Sequence, residues 1–207
     1  MERRQLGSIP REITQRDYEP SICLSEDKKR EWQRSLFLIS GGTMKIALTG
    51  HRPQRLFGNN LKNSKWQAVA DWIKKTLLEQ KCTEAFSGMA KGSDLLYALA
   101  VKELNESWRK IKLTLVFPCE NYGSNSPDKR YLGWREEVIN AATEKIYIHK
   151  EYTKTADNDR DKYMVDNCDI LIAIFDGIEV GGVYETIKYA ESVGKKIIYC
   201  PRELLEK

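Results

Sequence analysis

The segment Ile170-Leu-Ile-Ala-Ile-Phe175 constrains the fold more than any other stretch of this chain. Its apolar character is unbroken. A strand with one wet face alternates apolar and polar residues, so this segment is read as a central strand covered on both faces. Strands of that kind belong to parallel sheets, where helices provide both the crossovers and the cover.

The remaining sequence supplies the partners such a strand requires. Short apolar runs at 46–49, 85–87, 113–117, 145–148 and 197–199 read as further strands, the third of them stopped by Pro118. Helical segments fall between them. Residues 62–79 place Trp66, Val69, Ala70, Ile73 and Leu77 on one face. Residues 93–105 are apolar nearly all round and predict a buried helix. Helices are also expected at 129–142, 158–167 and 183–193, the last ended by Gly194 at C′. This alternation implies a single α/β domain over 44–207: a Rossmann-like three-layer sandwich with a mostly parallel sheet and helices on both faces. Ligands of such sheets bind at the carboxyl ends of the strands, near the point where strand order reverses.

Residues 1–43 differ in character. They are polar, lack a sustained apolar period, and contain one strongly apolar stretch, Leu36-Phe-Leu-Ile39. They are expected to be a poorly ordered or loosely docked extension, or an upstream extension before a start at Met44. The amino terminus has no apolar signal region, and no apolar run approaches bilayer length, so a cytoplasmic protein is expected, with no membrane partner. The net charge of +4 comes from Lys and Arg interspersed with Asp and Glu, which argues against a nucleic-acid partner. The five cysteines are isolated and show no C-x-x-C spacing, so neither a metal site nor a complete disulfide framework is expected. Cys119 follows a strand, but no neighbouring base marks it as a reactive thiol.

The strand-ending loops carry the chemistry. Thr49, Gly50, His51 and Arg52 offer a hydroxyl, a close backbone approach, an imidazole and a guanidinium fork suited to phosphate. His51 reads equally well as a structural hydrogen-bonder. Ser87, Gly88, Met89, Ala90, Gly92 and Asp94 lie where a strand runs through small residues directly into a helix, the geometry that aims backbone N–H groups at an anion. A tight turn capped by Ser93 is the bland alternative. Asp176, Gly177, Gly181, Gly182 and Glu185 form a comparable loop, with Glu185 in the first helical turn. Ordinary stabilisation of the helix dipole is the competing role for that carboxylate. The loop after the third strand adds Pro118 and, as an aromatic cover for a base, Tyr122.

The motifs Thr-Gly-His-Arg-Pro at 49–53, Ser-Gly-Met-Ala-Lys-Gly-Ser-Asp at 87–94 and Tyr-Met-Val-Asp-Asn-Cys-Asp at 163–169 resemble the SLOG superfamily, and within it the YpsA-like group. Phe175-Asp-Gly177, the Gly181-Gly182 pair and the run from Tyr189 to Lys195 continue the likeness, which covers roughly residues 44–200. The resemblance implies a Rossmannoid fold that binds nucleotides or nucleotide-derived signals. More distant members are the Lonely Guy phosphoribohydrolases and DNA-processing protein A. The Lonely Guy signature Pro-Gly-Gly-x-Gly-Thr-x-x-Glu is met here by Val180-Gly-Gly-Val-Tyr-Glu-Thr-Ile-Lys188. Its proline, its Gly-Thr pair and its terminal Glu are all absent, so what carries over is a ligand class and not a reaction.

Three functions compete. The first is a sensor or binding module for a nucleotide or ADP-ribose-like small molecule, with no further cofactor. The alternative is an enzyme that hydrolyses or transfers the N-glycosidic bond of nucleoside monophosphates, with Glu185 as its catalytic carboxylate and Asp94 and Asp176 as further candidates. A DNA-associated scaffold is the third. A homo-oligomer built on apolar helix faces at 62–79 and 183–193 is a further expectation.

Overall fold

The computed structural model describes residues 42–107 and 109–206. The expectations for residues 1–41 lie outside the described residues. Among the described residues six strands and five α-helices alternate: β1 Lys45–Gly50, α1 Ser64–Glu79, β2 Glu84–Ser87, α2 Ser93–Ser107, β3 Lys112–Cys119, α3 Lys129–Ala141, β4 Glu144–His149, α4 Ala156–Asn167, β5 Ile170–Ile174, α5 Gly182–Ser192 and β6 Lys196–Tyr199. All adjacent strands are parallel, in the order β4-β3-β2-β1-β5-β6. This is the Rossmann-like α/β sandwich.

Local chemistry sets the element ends. Asn63 caps α1 by accepting the Trp66 amide at 2.9 Å, and Asp128 caps α3 by accepting the amides of Arg130 and Tyr131. Gly194, at φ +70°, ends α5. There the Lys195 amide reaches the Ala190 carbonyl and the Gly194 amide the Glu191 carbonyl, a Schellman closure. Pro118 does not stop β3, which runs on to Cys119. The reason is that β2 ends at Ser87, opposite Leu115, so no strand on that side requires a donor from Pro118.

Alternate residues of each strand feed two separate cores. Ile46, Leu48, Leu113, Leu115, Ile170 and Ile172 pack with α1, α2 and α3. Ala47, Phe86, Val116 and Leu171 pack with Met164 and Val165 of α4 and Ala190 of α5. β5 is fully buried, as its unbroken apolar run requires. The same division puts α1 and α5 on opposite faces of the sheet, so the shared apolar face expected of them is not formed. The apolar stripe of α1 is spent on the core of its own chain.

From β1 the chain steps through β2, β3 and β4 in one direction, then returns to place β5 on the other side of β1. Strand order therefore reverses between β1 and β5, and the carboxyl ends of these two strands flank a crevice. Among the described residues no helix is long and apolar enough to cross a membrane.

Candidate functional site

A cavity of about 330 Å³ opens at this reversal point. Its walls come from four places: Thr49, Gly50, His51, Arg52 and Arg55 after β1, Ala90 and Asp94 at the start of α2, Asp157, Arg160 and Asp161 of α4, and Val180, Gly181, Gly182 and Val183 at the start of α5. A cleft of similar size between α1, α2 and α3 is lined by Leu61, Leu96, Leu99 and Trp134 together with the polar Lys62, Gln67, Lys102, Glu103 and Glu137. It lies away from the strand ends and offers no converging amides.

Two helices begin at the cavity. The start of α5 has no side-chain cap, and Gly181, its cap residue, has φ +85°. A Cβ placed on Gly181 or Gly182 would meet nothing within 4 Å. The space beside this helix end is therefore open, and the first amides of an α-helix have no acceptor within the helix itself. The start of α2 is arranged differently. Ser93 is buried and donates its hydroxyl to the His51 carbonyl at 2.9 Å. The Ser87 hydroxyl donates to the Asp94 carbonyl at 2.8 Å. A Cβ on Gly50 would come within 2.5 Å of Ser93 Cβ and 2.9 Å of Ile174 Cβ. Gly50 thus lets α2 approach β1 and β5, a packing role. Gly92, at φ +94°, does the same for the turn at Pro53, whose Cδ would lie 2.9 Å from an added Cβ.

The loop after β1 is pinned to the loop after β5. Arg55 grips Asp176 with both arms, Nε to Oδ2 at 2.6 Å and Nη2 to Oδ1 at 3.0 Å. Buried His51 brings Nε2 to 3.0 Å from Asp176 Oδ1 and 3.3 Å from the Asp176 amide. With the proton on Nε2 the ring donates to the carboxylate; with it on Nδ1 the ring accepts the amide. Burial lowers the imidazole's pKa against the opposing pull of Asp176. For Asp176, burial acts upward but is outweighed by the bidentate Arg55, the Ile178 amide and His51, which together hold the carboxylate well below its usual range.

The far wall is ionic. Arg160 is buried, 3% exposed. Its Nη1 donates to the Gly88 carbonyl and lies 3.8 Å from Asp94 Oδ2. Nη2 is 3.6 Å from Asp157 Oδ1. Nε is 2.6 Å from Asp161 Oδ1, in ion-pair contact without hydrogen-bond alignment. Asp161 also accepts from Thr186 Oγ1 at 3.2 Å. Burial pushes the Asp94 carboxyl up to about 7 despite the opposing pull of Arg160.

The structure brings Thr49, Gly50, His51, Arg52, Ala90, Asp94, Gly181 and Gly182 to the cavity wall. Ser87, Gly88 and Met89 lie buried beneath it. Asp176 is committed to Arg55 and His51, and a Cβ on Gly177 would meet Arg202. Pro118 is buried in β3. Beyond it, Tyr122 accepts from Arg52 Nη2 at 3.3 Å and joins Cys119 and Tyr152 around a second hollow of about 350 Å³. Glu185 is exposed and does not line the cavity. The sequence reading missed Arg55, Asp157, Arg160 and Asp161. One signal was available for the last three: Ala156, Arg160 and Met164 repeat every fourth residue on the buried stripe of α4, which places an arginine where an apolar residue is expected.

Among the described residues no group of three or more His, Cys, Asp or Glu side chains could hold a metal ion. The family model described as the YspA SLOG family, YpsA, matches residues 46–199. The chain belongs to the YpsA-type SLOG family. The part that matches this SLOG family runs from the second residue of β1 to the last of β6, so among the described residues it contains α1 to α5, β2 to β6, nearly all of β1 and all the walls of the cavity. No curated protein matches this SLOG chain.

Proposed function

We propose that the chain binds a nucleotide or nucleotide-derived, ADP-ribose-like molecule in the cavity between β1 and β5, as a sensor or ligand-binding module. The observation that carries this reading is the uncapped start of α5, where Gly181 and Gly182 face open space in the cavity that Arg52 also enters. Amide donors, the positive end of a helix and a guanidinium together suit a phosphate group. The cavity volume falls in the range of small-ligand sites. Asp157 and Asp161 of α4, which also line the cavity, can accept hydrogen bonds from sugar hydroxyls. Binding is favoured over N-glycosidic cleavage because, of the three candidate carboxylates, Glu185 lies outside the cavity wall and Asp176 is engaged by Arg55 and His51, which leaves only Asp94 at the wall.

Titration calorimetry of the full chain against AMP, ADP-ribose and cyclic nucleotides tests this. At least one is expected to bind, and Arg52→Ala is expected to weaken it roughly tenfold or more, the worth of a charge-assisted hydrogen bond. A folded chain that binds none of the panel would refute the reading.

A further inference from the structure

Three carboxylates, Asp94, Asp157 and Asp161, share one buried guanidinium, that of Arg160. Arg160 spends its shortest contacts on the Gly88 carbonyl and on Asp161. Asp94, 5% exposed, keeps the poorest partners of the group. The Ala90 amide is 3.4 Å from its Oδ2 and Arg160 Nη1 is 3.8 Å away. Charge-assisted hydrogen bonds that hold a buried carboxylate as an anion are much shorter than this. Asp161 has a closer cation, Arg160 Nε at 2.6 Å, although burial raises its pKa as well and the Thr186 hydroxyl, 3.2 Å away, also reaches the Gly182 carbonyl at 2.8 Å; Asp157 Oδ2 accepts from Tyr152 at 2.8 Å.

The other groups facing the cavity do not correct the balance. Arg55 is neutralised by Asp176. Burial disfavours the charged form of His51. Arg52 supplies a positive charge and is bonded to the Tyr122 hydroxyl. With every acid ionised, Arg52 and Arg160 face three carboxylates, so the empty wall already carries excess negative charge. A phosphate group would increase it, beside carboxylates of which Asp94 is only 5% exposed and so poorly screened by solvent. Moving a proton onto Asp94 removes one negative charge and turns an acceptor into an O–H donor.

We propose, on the basis of the nucleotide-binding reading above, that the cavity recognises its anionic ligand with Asp94 in the neutral, hydrogen-donating form, so that binding takes up a proton from solution. The proton leaves the buffer and stays on the Asp94 carboxyl while the ligand is bound. The raised affinity of this carboxyl for protons makes the transfer accessible near neutral pH. Asp94 is then a recognition residue that favours anionic ligands and ties their affinity to pH.

Calorimetry of the full chain with ADP-ribose tests the proposal. The pyrophosphate of that probe has no proton that titrates near neutrality, so any proton exchange belongs to the protein. Repeating the titration in buffers of different ionisation enthalpy gives the protons taken up per ligand bound. Uptake is expected to be small at about pH 6 and to approach one at about pH 8.5, with the dissociation constant rising about tenfold per pH unit in the upper part of that range. Asp94→Asn is expected to bind without uptake and with a flat pH profile. Binding without uptake in the wild-type chain, or uptake that survives in Asp94→Asn, would overturn the assignment and leave the nucleotide-binding reading intact. Failure of AMP, ADP-ribose and the cyclic nucleotides alike to bind the folded chain removes both. The wild-type buffer series decides the question even if Asp94→Asn does not fold.

Discussion

Gly50 ends a strand and Gly182 opens a helix at the same rim of the sheet, yet a methyl group would meet different surroundings at each. At Gly50 it would collide with Ser93 and Ile174, neither of which can retreat from a packed core. Gly50→Ala is therefore expected to destabilise the fold by about 1–3 kcal/mol, the usual cost of overpacking, measured by urea unfolding. At Gly182 it would meet open space at an ordinary backbone conformation, in the first turn of α5. Gly182→Ala is expected to lose no stability and to gain up to about 1 kcal/mol from helix propensity. Its effect falls on binding, because the methyl occupies the space from which a phosphate would reach the amides. Wild-type affinity for ADP-ribose in Gly182→Ala would remove the start of α5 from the site. Nothing in the sequence separates these two glycines, since each follows a strand and sits near a helix. The difference lies in what the rest of the chain packs against them.

Among the elements, the strands were the most legible. β5 announces itself by six apolar residues in a row, and its burial in the sheet follows from that pattern alone. The α1 stripe from Trp66 to Leu77 is legible for the same reason. α4 was legible as a helix and illegible as a site wall. Its Asp and Arg residues look like a solvated face, and only the sheet and the Gly88 loop turn Arg160 into a buried anchor. The pinning of Asp176 was hidden for another reason: His51 and Arg55 are more than 120 residues away in sequence, and no local pattern links them to it. The same burial makes Arg160 the element's critical attachment. Arg160→Ala would leave Asp94 and Asp161 facing each other without their cation. A loss of about 3–5 kcal/mol is expected by chemical denaturation, the scale for removing one partner of a buried ion pair. A loss below 1 kcal/mol would show that the carboxylates take up protons at little cost, and that the guanidinium is not what fastens α4 to α2.

For the whole molecule, the acids at the mouth of the sheet make stability depend on pH in opposite senses. Asp176 is held below its ordinary range, outweighing its own burial through Arg55, Ile178 and His51. Its contribution is present above about pH 4, where the unfolded carboxylate is ionised, and is lost as pH falls below that. The wild-type chain should therefore outlast Asp176→Asn at neutral pH, and the advantage should vanish in acid. Asp94 is raised to about 7 by burial. Below about pH 4 it is protonated in both states; above that the unfolded chain releases the proton while the folded chain keeps it. Stability is lost as pH rises from there through the folded value. Asp94→Asn carries no such proton, so it should gain on the wild type across that interval and run parallel to it beyond. His51, whose burial lowers its pKa, acts in the opposite sense to Asp94 in an overlapping interval, but equally in both proteins. The difference between the two unfolding curves, measured at a series of pH values, therefore reports Asp94 together with its coupling to Asp161, whose carboxyl burial also raises. A difference that does not change with pH would mean that the folded chain ionises Asp94 as readily as the unfolded chain does. The cavity would then hold no proton affinity for an arriving anion to strengthen.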